Sequence, residues 1–203
     1  MKKIFFCAVA LMIAVSACQQ TKQVKTSENL KAGIKGETTA SAKYAAFAQK
    51  AREEGNMNIA KLFEAASKSE SIHAANHRKV LDGIKGTIED FKPEYEVKST
   101  VENLQAAIDG ETYEVQTMYP AFMNDAKAEK GQKAQKSFSW ANDTEKKHAQ
   151  FYSAALKALQ NSDDKSLPAQ YAVCPVCGNT YAAGNVDAKC SFCQTGKEKF
   201  VMI

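Results

Sequence analysis

Along most of this chain the apolar residues step by alternating threes and fours, the spacing of one face of an α-helix. The first such stripe takes Leu30, Ile34, Glu37, Ser41, Tyr44, Ala48 and Ala51, with Thr26 or Ser27 available as a cap. A second takes Ile59, Phe63, Ala66, Glu70, His73, His77, Val80 and Ile84. After a linker from Lys85 to Lys98 containing Pro93, a third takes Val101, Leu104, Ile108, Glu111, Val115, Met118 and Phe122. The fourth takes Ala134, Phe138, Ala141, Glu145, His148, Tyr152, Ala155 and Leu159. Gly55-Asn56 and Lys130-Gly131 mark short turns. The pattern predicts two helical hairpins joined by one longer crossover, an all-α four-helix bundle over residues 27–160.

The hairpins are copies of one unit. Phe63-x-x-Ala66-x-x-x-Glu70-x-x-His73-Ala74 recurs 75 residues later as Phe138-x-x-Ala141-x-x-x-Glu145-x-x-His148-Ala149. Gly36-Glu37-Thr38 recurs 74 residues later as Gly110-Glu111-Thr112. The offset then slips, because Tyr44-x-Ala46-Phe47 matches Tyr119-x-Ala121-Phe122 at 75. The third helix thus carries one extra residue. Either a π-bulge absorbs it, or the helix continues in plain register, as Val115, Met118 and Phe122 suggest.

Four carboxylates interrupt stripes that should be core: Glu37, Glu70, Glu111 and Glu145. Buried ionised carboxylates are costly unless they are paired or bound to metal. Two residues of a hairpin lie level when they are equally far from its turn. The midpoint of Glu37 and Glu70 is 53.5, beside Gly55, and that of Glu111 and Glu145 is 128, beside Gly131. All four can therefore meet at one height. His73 and His148 stand three residues after Glu70 and Glu145, on the same helix faces. One Glu from each of two helices and Glu-x-x-His from each of the others is the donor set of a carboxylate-bridged dinuclear site in a ferritin-like bundle. Oxygen and imidazole donors favour iron or manganese. His77 reads as a core or supporting histidine, since its repeat counterpart is Tyr152. Tyr44 and Tyr119 either pack or supply protons and hydrogen bonds at the site.

Residues 161–171 are polar, contain Pro168 and read as a linker. In 172–203, Cys174-Pro175-Val176-Cys177 and Cys190-Ser191-Phe192-Cys193 form two C-x-x-C knuckles. So short a domain cannot bury enough apolar surface to fold unaided, so a metal must stabilise it. Four thiolates take zinc or iron, and two disulfides are a third arrangement.

At the other end, Lys2 and Lys3 precede an apolar run from Ile4 to Val15, too short to span a bilayer. Val15-Ser16-Ala17-Cys18 resembles a bacterial lipobox, which makes 1–17 a signal peptide, Cys18 the lipidated first residue and 18–26 a tether. An ordinary signal or an uncleaved anchor is the plainer alternative. On the lipobox reading the protein is held at a membrane of the cell envelope. The 27 basic against 23 acidic residues leave a formal charge of +4, too mild for nucleic acid as partner.

These motifs together resemble the rubrerythrins. The resemblance rests on Gly36-Glu37, Glu70-x-x-His73, Gly110-Glu111-x-x-Glu114, Met118-Tyr119-Pro120, Glu145-x-x-His148 and the paired knuckles. It implies a di-iron bundle followed by a rubredoxin-like domain. Glu70 and Glu145 would bridge the irons, Glu37 would bind the first, and Glu111 with His148 the second. Glu114 and His73 would alternate on the first iron with redox state. Cys174, Cys177, Cys190 and Cys193 would hold a single electron-transfer iron. The implied activity is reduction of hydrogen peroxide to water in defence against oxidative stress. Electrons would come from an unidentified donor and pass, within a homodimer, from the rubredoxin-like iron of one subunit to the di-iron site of the other. The second knuckle departs from the family's commoner Cys-Pro-x-Cys-Gly, which bears on hydrogen bonds to sulfur and hence on potential. The rival reading is a non-enzymatic iron-storing bundle with a structural zinc ribbon.

Overall fold

The computed structural model describes residues 23–203, so the segment read as a signal peptide, Cys18 and most of the segment read as a tether lie outside the described residues. Five helices build the bundle: α1 (Val24–Glu53), α2 (Met57–Gly83), α3 (Thr100–Tyr113), α4 (Tyr119–Ala128) and α5 (Gln132–Gln160). The third helix of the bundle is α3 and α4 joined by a π-helical segment, Glu114–Met118. The extra residue is thus absorbed as a π-bulge, and the plain register suggested by Val115, Met118 and Phe122 does not hold. Pro120, at the start of α4, has no N–H to donate, so the hydrogen-bond ladder is weakened where the register shifts.

Other boundaries shift as well. The first helix begins at Val24, inside the segment read as tether, and neither Thr26 nor Ser27 caps it. Val101, placed on a buried stripe, is 43% exposed. Residues 84–99 form the crossover, which must return the chain along the whole of α2, 27 residues or about 40 Å.

Helix ends leave backbone N–H groups unsatisfied, and here the two hairpins satisfy one another. Glu129, in the second hairpin's turn, accepts from the N–H groups of Lys25 (3.1 Å) and Thr26 (2.8 Å) at the start of α1. Glu54, its repeat equivalent, accepts from Thr100 N–H (2.9 Å) at the start of α3, where Ser99 and Glu102 complete a capping box. These cross-caps fix which end of each hairpin faces which. The apolar core falls into two clusters, one around Tyr44, Phe47, Phe63 and Tyr152 and one around Leu30, Ile34, Tyr119 and Phe138. The acidic layer lies between them.

The C-terminal domain has a small antiparallel sheet in the order β2-β1-β3, from β1 (Tyr171–Val173), β2 (Thr180–Ala182) and β3 (Val201–Met202). It starts one residue inside the segment read as linker. It packs on α2 and α5 of its own chain through Ser69 Oγ to Gly178 O (2.7 Å), Asn76 Nδ2 to Val176 O (2.9 Å) and Lys147 Nζ to Asn179 Oδ1 (2.7 Å).

The cross-caps are testable. Glu54→Ala and Glu129→Ala should each lower stability by about 1 kcal/mol in denaturant titrations. The Thr100 hydrogen bonds hold the Glu54 carboxyl below its ordinary range, and those of Thr26 and Lys25 hold Glu129 below it against the effect of burial. The difference from the parent should therefore be full above the ordinary carboxylate range and fade as pH falls through it. Unchanged midpoints at neutral pH would show that water serves these helix ends as well.

Candidate metal centres

Glu37, Glu70, Glu111, Glu145, His73 and His148 are all at most 2% exposed and meet at mid-height between the two apolar clusters. They form two donor sets, Glu37 with Glu70, His73 and Glu145, and Glu70 with Glu111, Glu145 and His148. Within each, one donor atom per residue lies within 4.8 Å of the others. Glu70 and Glu145 belong to both sets. His73 Nδ1 is 3.0 Å from Glu70 and 2.9 Å from Glu145, and His148 Nδ1 is 3.1 Å and 2.8 Å from the same pair. Both oxygens of Glu70 and of Glu145, one of Glu37 and both Nδ1 atoms lack a well-directed hydrogen bond. Seven inward-facing buried donors in that state are the signature of a cation site, because unsatisfied buried polar atoms are otherwise rare.

Charge tells the same story. Desolvation, then the like charges of Glu145 and Glu70, push the Glu111 carboxyl well above its ordinary range. Burial pushes Glu37 up to about 7. His73 and His148, which burial alone would lower, are held well above the usual histidine range chiefly by Glu145 and Glu70 respectively. The pocket draws in positive charge, which protons or metal ions can supply.

Two tyrosines complete the layer, crossing from one hairpin to the other. Tyr44 Oη donates to Glu111 Oε1 (2.5 Å) and Tyr119 Oη to Glu37 Oε1. Each carboxylate so held keeps its other oxygen for the site. The alternative that these rings only pack is thereby answered. Glu114, on the π-helical segment, stands outside both sets, its carboxyl pushed well up by desolvation and by Glu37. His77 is not among the donors. It is fully buried, pushed down to about 3 by desolvation and by His73, and so neutral.

The C-terminal domain roofs this layer. Thr180 Oγ1 lies 3.0 Å from His148 Nε2, the ring nitrogen facing away from the carboxylates, and such outer partners fix a ligand's tautomer and orientation. Gly178, at φ +83°, abuts His73, and an added Cβ would sit 2.3 Å from its Nε2. Ser69, Gly178 and Thr180 were not singled out from sequence, since nothing in the knuckle spacing tells what a knuckle rests on.

In the domain itself the four cysteines are free, with Cys174 Sγ 3.4 Å from Cys193 Sγ and Cys177 Sγ 3.5 Å from Cys190 Sγ. That approaches the edge, about 3.8 Å, of a tetrahedron with metal–sulfur bonds of about 2.3 Å. Hydrogen bonds from the Cys177 thiol and from the N–H groups of Cys177 and Val176 draw the Cys174 thiol down to about 4. The departures in the second knuckle have consequences. Gln194 takes the left-handed φ of +63° that glycine would adopt freely. Ser191, unlike proline, offers an N–H, which Tyr181 Oη accepts at 2.9 Å. Tyr181 Oη and Asn179 Nδ2 in turn approach Cys190 Sγ at 3.6 and 3.7 Å.

A family model described as Rubrerythrin matches residues 28–156. Nigerythrin of Nitratidesulfovibrio vulgaris is 37% identical, over 91% of this chain and 89% of that protein. Rubrerythrin-2 of Clostridium acetobutylicum is 32% identical over 88% of this chain and 97% of its own length. The structure of fully reduced, all-ferrous nigerythrin superposes with a TM-score of 0.79, covering 88% of this chain and 86% of that one. A bacterioferritin of Rhodobacter capsulatus, 19% identical with a TM-score of 0.62, shares the fold.

The contacts to Cys190 give a measurable expectation. In the iron-loaded chain, Tyr181→Phe should lower the reduction potential of the four-cysteine site by an amount on the order of tens of millivolts, because donors to a ligating sulfur stabilise the reduced form. Redox titration followed by absorbance reads it. An unchanged potential would assign the Tyr181 hydroxyl to Ser191 alone.

Proposed function

We propose that this chain, which belongs to the rubrerythrin family, reduces hydrogen peroxide to water at its di-iron centre with electrons passed through the four-cysteine iron. Iron is the cofactor of both sites. The observation that carries the reading is the roof: the four-cysteine domain touches both imidazoles of the dinuclear layer, through Thr180 at His148 and Gly178 at His73. A storage bundle has no use for such a contact, whereas an electron relay needs it.

In this reading Glu70 and Glu145 would be the carboxylates shared by the two irons, Glu37 and His73 would hold the first, Glu111 and His148 would hold the second, and Glu114 would be the alternative ligand to His73. Bound there, a pair of ferrous ions would supply the two electrons of the reduction. The chain's own contribution is positional. Tyr44 and Tyr119 hold Glu111 and Glu37 in single orientations, and the Phe63 and Phe138 layers exclude water on either side. A homodimer that exchanged its C-terminal domains would keep the same contacts between chains. The external electron donor reaches the protein at the four-cysteine domain.

Glu145→Ala should lose the bundle iron and peroxide turnover while keeping its helical content, because the shared carboxylate is removed. Cys177→Ser should stop steady-state turnover yet permit one round of peroxide reduction by pre-reduced protein. Stopped-flow and steady-state assays with iron and zinc counted per chain decide it. Undiminished steady-state turnover in Cys177→Ser would show that the four-cysteine domain is no relay, and zinc in the native four-cysteine site together with a parent chain that turns over no peroxide would favour the storage reading.

Cys18 anchors the protein in this proposal. No helix among the described residues is long and apolar enough to cross a membrane. Cys18→Ser should move the protein from the membrane to the soluble fraction on immunoblots, and equal retention of both forms would discard the lipid anchor.

A further inference from the structure

Reducing one peroxide to two waters consumes two protons as well as two electrons, and the layer where this happens is sealed above and below by aromatic side chains. A buried chain of hydrogen bonds nevertheless leads out of it. Tyr119 Oη donates to Glu37 Oε1. His77 Nε2 lies 3.1 Å from Tyr119 Oη. His77 Nδ1 lies 2.7 Å from Ser137 Oγ. Ser137 in turn lines a groove of about 710 Å³ between α2 and α5, whose walls include Lys79, Lys133, Lys136 and Trp140. From the geometry we infer that Ser137, His77 and Tyr119 form a proton relay from this groove to Glu37.

The direction of the chain follows from its inner end. A carboxylate serving as a metal ligand only accepts, so Tyr119 O–H must donate to it. The phenol oxygen then accepts, which requires the proton of His77 on Nε2. Nδ1 is left to accept from Ser137 O–H, whose oxygen accepts from groove water. Every donor points inward. A proton leaving water for Ser137 Oγ displaces the Ser137 proton to His77 Nδ1, the Nε2 proton to Tyr119 Oη and the Tyr119 proton to Glu37 Oε1. One proton has moved from the groove to the site, every member stays neutral, and rotation of the hydroxyls with return of the imidazole tautomer resets the path. Phe138 packs against the His77 ring at 5.1 Å and keeps it aligned.

The duplication supplies an internal control. In the other half Tyr44 holds Glu111 as Tyr119 holds Glu37, but the position of His77 is taken by Tyr152 and that of Ser137 by Leu62. Leu62 is completely buried, and Tyr152 lies among Tyr44, Phe63 and His148. Polar members continue outward on one side only. The backbone has also made room there. A Cβ on Gly33 would come within 2.9 Å of the His77 ring, whereas the equivalent residue in the other half is Ala107.

The purpose of the relay rests on the proposed peroxide reduction, but its path does not, and the test separates the two. In the full chain loaded with a diamagnetic divalent metal such as zinc, nitrogen NMR of the imidazoles should find His77 protonated on Nε2. Ser137→Leu, which copies the other half, should slow exchange of that ring proton with deuterium by at least about tenfold, and Ser137→Thr should restore it. In the iron-loaded chain Ser137→Leu and His77→Phe should keep their iron, slow single-turnover peroxide reduction and enlarge its solvent isotope effect. Should Leu at 137 perturb the groove wall, Ser137→Ala must slow ring-proton exchange in the same direction. The Nδ1 tautomer, or unchanged exchange in Ser137→Leu and Ser137→Ala, would overturn the path. Slowed exchange with an unaltered peroxide rate and isotope effect would overturn its use by the reaction. A parent chain that reduces no peroxide would sink the activity reading, and the exchange data would still decide the path.

Discussion

Everything in this protein is arranged around a layer of carboxylates placed where a four-helix bundle should have its core. Taken out of water without counter-charge, such groups would cost far more than the few kcal/mol by which a domain is stable. His73 and His148 bring only partial relief, since each shares its Nδ1 with the same two carboxylates. The layer is therefore stable in its charged form only when cations occupy it, which ties the fold to its cofactor. The aromatic clusters on either side strengthen the field by keeping water out.

Duplication explains how so unfavourable a layer can be built reliably. Each hairpin contributes what the other lacks. Glu54 and Glu129 cap the first helix of the opposite hairpin, and Tyr44 and Tyr119 orient the opposite carboxylate. None of these interactions can form in an isolated hairpin. The donor layer thus comes into register only when both halves dock, at the height that the turns at Gly55 and Gly131 set.

Much of this was legible in the sequence because helical period and hairpin arithmetic are local rules. Glu37, Glu70, Glu111 and Glu145 could be placed at one height from their distances to the turns alone. The four cysteines were legible from spacing. What escaped depended on long-range docking or on competition between local signals. Val115, Met118 and Phe122 preserve an apolar rhythm through a segment whose backbone is π-helical, so side-chain pattern concealed the register change. Thr26 looked like a cap, yet the capping carboxylate comes from Glu129, 103 residues away. The roles of Gly178 and Thr180 are set by the surface on which their domain rests.

The two halves of the site are not equivalent, and the inequality has one direction. Glu114 replaces what is Ala40 in the first repeat, His77 stands where the second has Tyr152, and Ser137 stands where the first has Leu62. These residues come from three different helices, yet the charge that acts most strongly on Glu114 is that of Glu37, while His77 and Ser137 lead to Glu37 through Tyr119. The C-terminal domain does not share this bias, since Gly178 abuts His73 of the same donor set and Thr180 meets His148 of the other. The set of Glu111 and His148 keeps the plainer surroundings, closed behind Tyr44 by Tyr152 and Phe63. A symmetric ancestor would hold two equal metals. In the proposed reading the exchangeable ligand and the polar path lie on one side while the four-cysteine domain reaches both imidazoles, so the features that would distinguish a catalyst from a store are concentrated on the side of Glu37 and His73.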